Sequence, residues 1–252
     1  MTRRTFSVIV IAAAAVAAGA VLRAQPPAAQ AAGGGAPDHV AALKQSLQQG
    51  LGLARKYEWI ETTTISLKGE QKGSKQNRCY YGADGKVQKI AIEAPGQPAQ
   101  EESGGRGGRG GRGGRLKDKV IENKKDEMKE YMEKAAGLIH QYVPPAQEKI
   151  QAAKDAGRVA VNPQAGGSVK LVISQYLLTG DSLTIDLDPK ANRLLGLGVN
   201  SYLDKSEDAV TLAVQMAMLP DGALYAGQTT LEAKAKNLTV VIQNTGHRPV
   251  QR

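Results

Sequence analysis

Val210-Thr211-Leu212-Ala213-Val214-Gln215-Met216-Ala217-Met218 carries a large apolar side chain at every even position and small or polar ones between. Successive side chains of a strand point to opposite faces, so this beat describes a strand with one face to bury. The same alternation sets Leu183, Ile185 and Leu187 against Ser182, Thr184 and Asp186, and Leu238, Val240 and Ile242 against Thr239, Val241 and Gln243. Six such runs lie between Val169 and Gln243. The turns between them include Thr179-Gly180-Asp181-Ser182, Asp188-Pro189-Lys190-Ala191-Asn192 and Pro220-Asp221-Gly222. Glycine there supplies positive φ, proline a fixed φ, and Asn or Asp a local hydrogen bond. Regular spacing favours hairpin neighbours throughout, in an antiparallel sheet with one buried face.

Upstream of this meander the period changes twice. Val40, Leu43, Leu47, Leu51 and Ala54 recur at helical spacing after Pro37 and a capping Asp38. From Tyr57 the period is two: Tyr57, Trp59, Thr63, Ile65 and Leu67 share one face, and Ile60 is a misfit on the other. Gly69 to Ser74 reads as a turn. Gln76 to Tyr81 and Lys86 to Glu93 form a hairpin about Asp84-Gly85. A second helix, Lys117 to Gln141, carries Met128, Tyr131, Met132, Ala135, Leu138 and Ile139 on one stripe. Six lysines and six acids between Lys117 and Lys134 mark its other side as solvated. Pro144-Pro145 breaks it, and a weaker helical segment, Ala146 to Ala156, follows.

Two stretches stand outside this pattern. Residues 1–24 combine Arg3 and Arg4 with an apolar run, Ser7 to Leu22, and small-residue cleavage sites, which is the layout of a secretory signal peptide. Thr2-Arg3-Arg4-Thr5-Phe6 also resembles a twin-arginine export signal. Residues 25–37 then read as a flexible tether, and 38–250 as one domain. Within that domain residues 95–116 hold four Gly-Gly-Arg triplets ending at Arg106, Arg109, Arg112 and Arg115, a composition expected to form a solvated loop. Those arginines are candidates for contact with anionic envelope surfaces. No aromatic interleaves them, and an exported protein meets little RNA, so nucleic acid is not the expected partner.

The formal charge of +9 falls to +2 without the arginines of residues 1–24 and of the tract, so the folded part makes no case for a polyanion. Cys79 is the single cysteine, which excludes an internal disulfide and a thiolate zinc cluster. His39, His140 and His247 have no metal-ligand spacing, and no cofactor motif is present. Gly180-Asp181-Ser182-Leu183 resembles the nucleophile block of the GDSL esterases. It falls late, between two strands, and no Asp stands three residues before a His to supply the base. No catalytic residue is therefore assigned.

The expected fold is α+β: a curved, half-barrel-like antiparallel sheet of about nine strands, covered on one face by two amphipathic helices. The order helix, strands, helices, long meander, together with export, resembles the lipoprotein carriers of the LolA and LppX type. That resemblance implies a concave apolar face able to hold acyl chains. Two functions fit. One is a periplasmic or secreted binding protein whose apolar face, with Tyr57, Trp59, Met216 and Met218, holds a hydrophobic ligand or lipid. The other is a structural or interaction protein with a filled core. Cavity volume separates them.

Overall fold

The computed structural model describes residues 36–92 and 114–250, with side chains described for 42–92 and 126–250. Residues 1–35, where a signal and tether are expected, and most of the Gly/Arg tract, including Arg106, Arg109 and Arg112, lie outside the described residues. The elements are α1 (Ala36–Ala54), β1 (Tyr57–Leu67), β2 (Glu70–Tyr81), β3 (Val87–Ile92), α2 (Gly114–Ile139), α3 (Gln147–Asp155), β4 (Val159–Pro163), β5 (Val169–Ser174), β6 (Ser182–Asp188), β7 (Arg193–Tyr202), β8 (Ala209–Met218), β9 (Leu224–Ala233) and β10 (Leu238–Pro249). The ten strands of the described residues join one open, curved antiparallel sheet in the order β3-β2-β1-β10-β9-β8-β7-β6-β5-β4. The class is the expected α+β.

Several local readings change. The tenth strand is β4, a five-residue edge strand paired only with β5; most of its length is exposed, so no alternation announces it. The first hairpin turns on two residues, Lys68 (φ 55) and Gly69 (φ 81), not on Gly69 to Ser74. Positive φ at both central positions is the type I′ geometry that matches strand twist. β2 therefore starts at Glu70, where Glu70-Gln71-Lys72-Gly73-Ser74-Lys75 is exposed and polar on both faces. α1 begins at Ala36, ahead of Asp38, and α2 at Gly114, so Arg115 belongs to a helix and not to the loop.

The core lies between the helices and the inner face of the meander. Leu183, Ile185, Val199, Val210, Leu212, Leu231 and Val240 meet Leu47 of α1, Ala135 and Ile139 of α2 and Ala153 of α3. Each large apolar side chain so buried contributes about 1.5–3 kcal/mol. Polar clamps fix the cover: Tyr131 of α2 donates to Asp208 (2.5 Å) in the β7–β8 turn, and Glu127 pairs with Lys236 (2.5 Å) after β9. The glycines of β7 permit close approach, since a Cβ on Gly196 would stand 2.8 Å from the Val214 carbonyl oxygen.

One pairing matters most for the site. β1 lies against β10, so the N-terminal three-stranded unit extends the meander from its last strand. The inner face thus has two halves. The half from β5 to β9 is mostly apolar, with Ser201 and Thr229 as buried polar members, whereas β1, β2 and β3 bring Glu61, Thr63, Asn77 and Lys89 to it.

Candidate functional site: an aromatic cleft with a polar floor

Alternation along β1 sends Tyr57, Trp59, Glu61 and Thr63 to the inner face. Register carries that face sideways: Trp59 stands opposite Cys79 and Cys79 opposite Lys89, while Glu61 stands opposite Asn77 on one side and Asn244 on the other. The Lys89 ammonium reaches diagonally across β2 and donates to both Glu61 oxygens at 2.6 Å. Asn77 Nδ2 adds a longer bond of 3.4 Å to Glu61 Oε1. Side-chain exposures of 16% for Lys89 and 8% for Glu61 make this a buried ion pair. Such a pair persists where geometry and further hydrogen bonds offset desolvation.

β10 would present Ile242, Asn244 and Gly246 to the same face if it ran straight. It does not. Glu58 pairs with Arg248 and Ile60 with Thr245, so Gly246 and His247 together oppose Trp59. Gly246 takes φ 62, the left-handed conformation that this kind of β-bulge requires at its first position. The extra residue reverses the parity of the strand, and His247 joins Ile242 and Asn244 on the inner side.

The bulge completes a row of four rings from four strands. Tyr81 and Trp59 have centroids 5.5 Å apart, Trp59 and His247 stack at 6.0 Å with 15° between planes, and His247 meets Tyr225 at 3.9 Å. Leu51 and Ala54 of α1 and the turn from Leu219 to Leu224 close the opposite side. α1 can sit there because residue 50 is glycine; a Cβ at that position would lie 2.8 Å from Leu224 Cβ. Tyr57 donates to Asp221 (2.8 Å) and ties the same turn to the start of β1. The cleft so formed has a volume of about 70 Å³.

Its electrostatics are neutral in sum. The Glu61 and Lys89 charges cancel. Burial holds the His247 imidazole below its ordinary range, so it is uncharged at neutral pH. Burial, with the Glu61 charge second, pushes the Cys79 thiol up to about 11, which makes it a poor nucleophile. Among the described residues, three buried polar atoms of this inner surface have no hydrogen-bond partner: Trp59 Nε1, Asn244 Oδ1 and Thr63 Oγ1. Asn244 is held in place by its own amide, which donates to the Ala226 carbonyl at 2.8 Å.

Of the residues proposed from sequence, Trp59 lines this cleft. Tyr57 braces its rim through Asp221. Met216 is partly buried against the apolar core, and Met218 ends β8 with 50% of its surface exposed; neither lines the cleft. Arg115 lies in the first turn of α2. Tyr81, Lys89, Glu61, Tyr225, Asn244 and His247 were not proposed. Glu61 had a legible signal, a carboxylate at inner-face parity between Trp59 and Thr63.

Ser182 opens β6, and its neighbour Asp181 is the residue with a task. The buried Asp181 carboxylate accepts from the backbone amides of Tyr176 (2.6 Å), Leu177 (2.9 Å) and Leu178 (2.7 Å) and from the Tyr142 hydroxyl. The Gly-Asp-Ser tetrad is thereby a turn organised about its aspartate. Among the described residues no cluster of three or more His, Cys, Asp or Glu is arranged to hold a metal.

No family model and no curated protein matches the chain. Among solved structures, a DUF1329 family protein from Desulfovibrio piger ATCC 29098 is similar at 13% identity and TM-score 0.39, covering 83% of this chain and 92% of its own. A LolA superfamily protein from Nitrosomonas europaea is similar at 9% identity and TM-score 0.33, covering 81% of this chain and 94% of its own.

Proposed function

We propose that the protein is an exported, non-enzymatic binding protein whose site is the aromatic cleft at the β2-β1-β10-β9 end of the sheet. The observation that carries the reading is the row Tyr81, Trp59, His247, Tyr225 over a buried surface with unpartnered polar atoms. Binding sites are largely apolar and aromatic with a few placed polar groups. The volume sets the scale. Sites for drug-sized ligands run to roughly 300–1,000 Å³, against about 70 Å³ here. That space suits one ring-sized apolar group, either a small ligand or the end of a larger one that extends outside. It does not suit an enclosed acyl chain.

Trp59 is the only tryptophan of the chain, so its fluorescence reports on the cleft directly. Titration with small aromatic and short-chain apolar compounds is expected to shift its emission saturably. An emission insensitive to every such compound, with nothing co-purifying in native mass spectrometry, favours the second reading: a structural envelope protein with a filled core. The small volume is the observation on that side. Export rests on residues 1–24; cell fractionation is expected to find a mature form beginning near Val21 or Gln25 outside the cytoplasm.

A further inference from the structure

The unpartnered atoms of the cleft describe the polar end of what it binds. Trp59 Nε1 is a donor and nothing else. Asn244 gives one amide hydrogen to the Ala226 carbonyl, and the atom of its side chain left without any partner is Oδ1. Both atoms are buried and unpaired. Asn244 stands opposite Glu61, two residues along β1 from Trp59, so the two side chains are diagonal neighbours on one face, within mutual reach of a long side chain. A matching ligand atom must accept from the indole and donate to the amide. A hydroxyl oxygen does both; a carboxylate only accepts, and an ammonium only donates.

Charge points the same way. The groups facing this point are Glu61, Lys89, His247, Cys79, Tyr81 and Tyr225. The first two neutralise one another at 2.6 Å, and neither is left over for an ionic ligand. A ligand carboxylate would be desolvated beside the Glu61 carboxylate, and a ligand ammonium beside Lys89, each without a counter-charge of its own. Resting on the aromatic-cleft reading, we infer that the cleft selects a neutral, hydroxyl-bearing ring: an aromatic or similarly flat alcohol whose oxygen bridges Trp59 Nε1 and Asn244 Oδ1.

Isothermal titration of the mature protein with four probes of one size tests this: benzyl alcohol, toluene, benzoate and benzylammonium at neutral pH. In a slot without polar partners the alcohol binds more weakly than toluene, because its hydroxyl is desolvated for no return. Here benzyl alcohol is expected to bind at least as tightly as toluene, and both ions about tenfold more weakly or worse. Trp59→Phe keeps a ring but removes the N–H. It is expected to weaken benzyl alcohol by about tenfold, the effect of one buried hydrogen bond, and toluene by less than about threefold. Asn244→Leu, which keeps the volume, is expected to do the same and covers the case in which Trp59→Phe fails to fold. An alcohol weaker than toluene, or a benzoate equal to the alcohol, overturns the hydroxyl inference while leaving the cleft as a binding site. Failure of all four probes, toluene included, overturns the cleft reading itself and the inference with it.

Discussion

Replacing Asp181 with alanine removes the acceptor of four hydrogen bonds at once. Three come from consecutive backbone amides, those of Tyr176, Leu177 and Leu178, at 2.6 to 2.9 Å, and one from the Tyr142 hydroxyl, which also bonds Ser201 Oγ at 2.7 Å. Asp181 is 3% exposed and Tyr142 wholly buried, so water cannot easily take over at those two positions. Hydrogen bonds to a charged acceptor contribute about 1.5–3 kcal/mol each. Four of them would amount to about 6 kcal/mol or more on that scale, but Leu177 and Leu178 are only partly buried, and their amides can recover solvent. A loss of about 4 kcal/mol follows, a large share of the ~5–15 kcal/mol that stabilises a typical domain. Asp181→Asn keeps one acceptor oxygen and is expected to lose about half as much. Ser182→Ala, one residue along, is expected to cost under about 1 kcal/mol. Urea unfolding followed by circular dichroism measures all three. In thermal unfolding, Asp181→Ala should lie about 8–16 °C below wild type, at roughly 2–4 °C per kcal/mol for a domain of this size. If Ser182→Ala proved as costly as Asp181→Ala, or if Ser182 reacted with a fluorophosphonate, the tetrad would not be the aspartate-organised turn described above.

The buried ion pair should behave asymmetrically: Lys89→Met, which strands Glu61, is expected to lose about 3 kcal/mol in urea unfolding, while Glu61→Leu with Lys89→Met together returns to within about 1 kcal/mol of wild type. Gly50→Ala drives a Cβ toward Leu224; we expect about 1–3 kcal/mol of destabilisation and a red-shifted Trp59 emission as α1 lifts from the cleft. His247 supplies a pH signature. Its folded pKa is held below the ordinary value of about 6.5 by burial, so the unfolded chain binds the proton first. The stability this represents is whole above that value and is lost as the pH falls through the lower folded one. Trp59 emission is expected to drop in the same acid step, through quenching by the imidazolium stacked on it, and His247→Phe is expected to abolish the step; an unchanged step in that variant would assign it elsewhere.

Alternation of period two is a local property, so the meander, its turns and its buried face were readable before any fold was known. Val210, Leu212 and Val214 are buried as their even positions demand. The α+β class and the helical cover follow from the same periodicities. Where a strand buries little, as in the exposed polar start of β2 or the edge strand β4, alternation has nothing to report, and neither the first half of β2 nor β4 is legible. The cleft depended on contacts between residues far apart in the chain. Glu61 had its parity written in β1, but its partner Lys89 is placed by the register of two successive hairpins. Trp59 meets His247 only because β1 pairs with β10, a choice of neighbour that neither strand states. Even with that pairing known, straight alternation would send His247 outward. One left-handed glycine, Gly246, inserts an extra residue and turns the imidazole onto the indole. A strand's own sequence says which side chains share a face; which face its neighbour offers, and where a bulge exchanges the two, is decided by hydrogen-bond register across the assembled sheet.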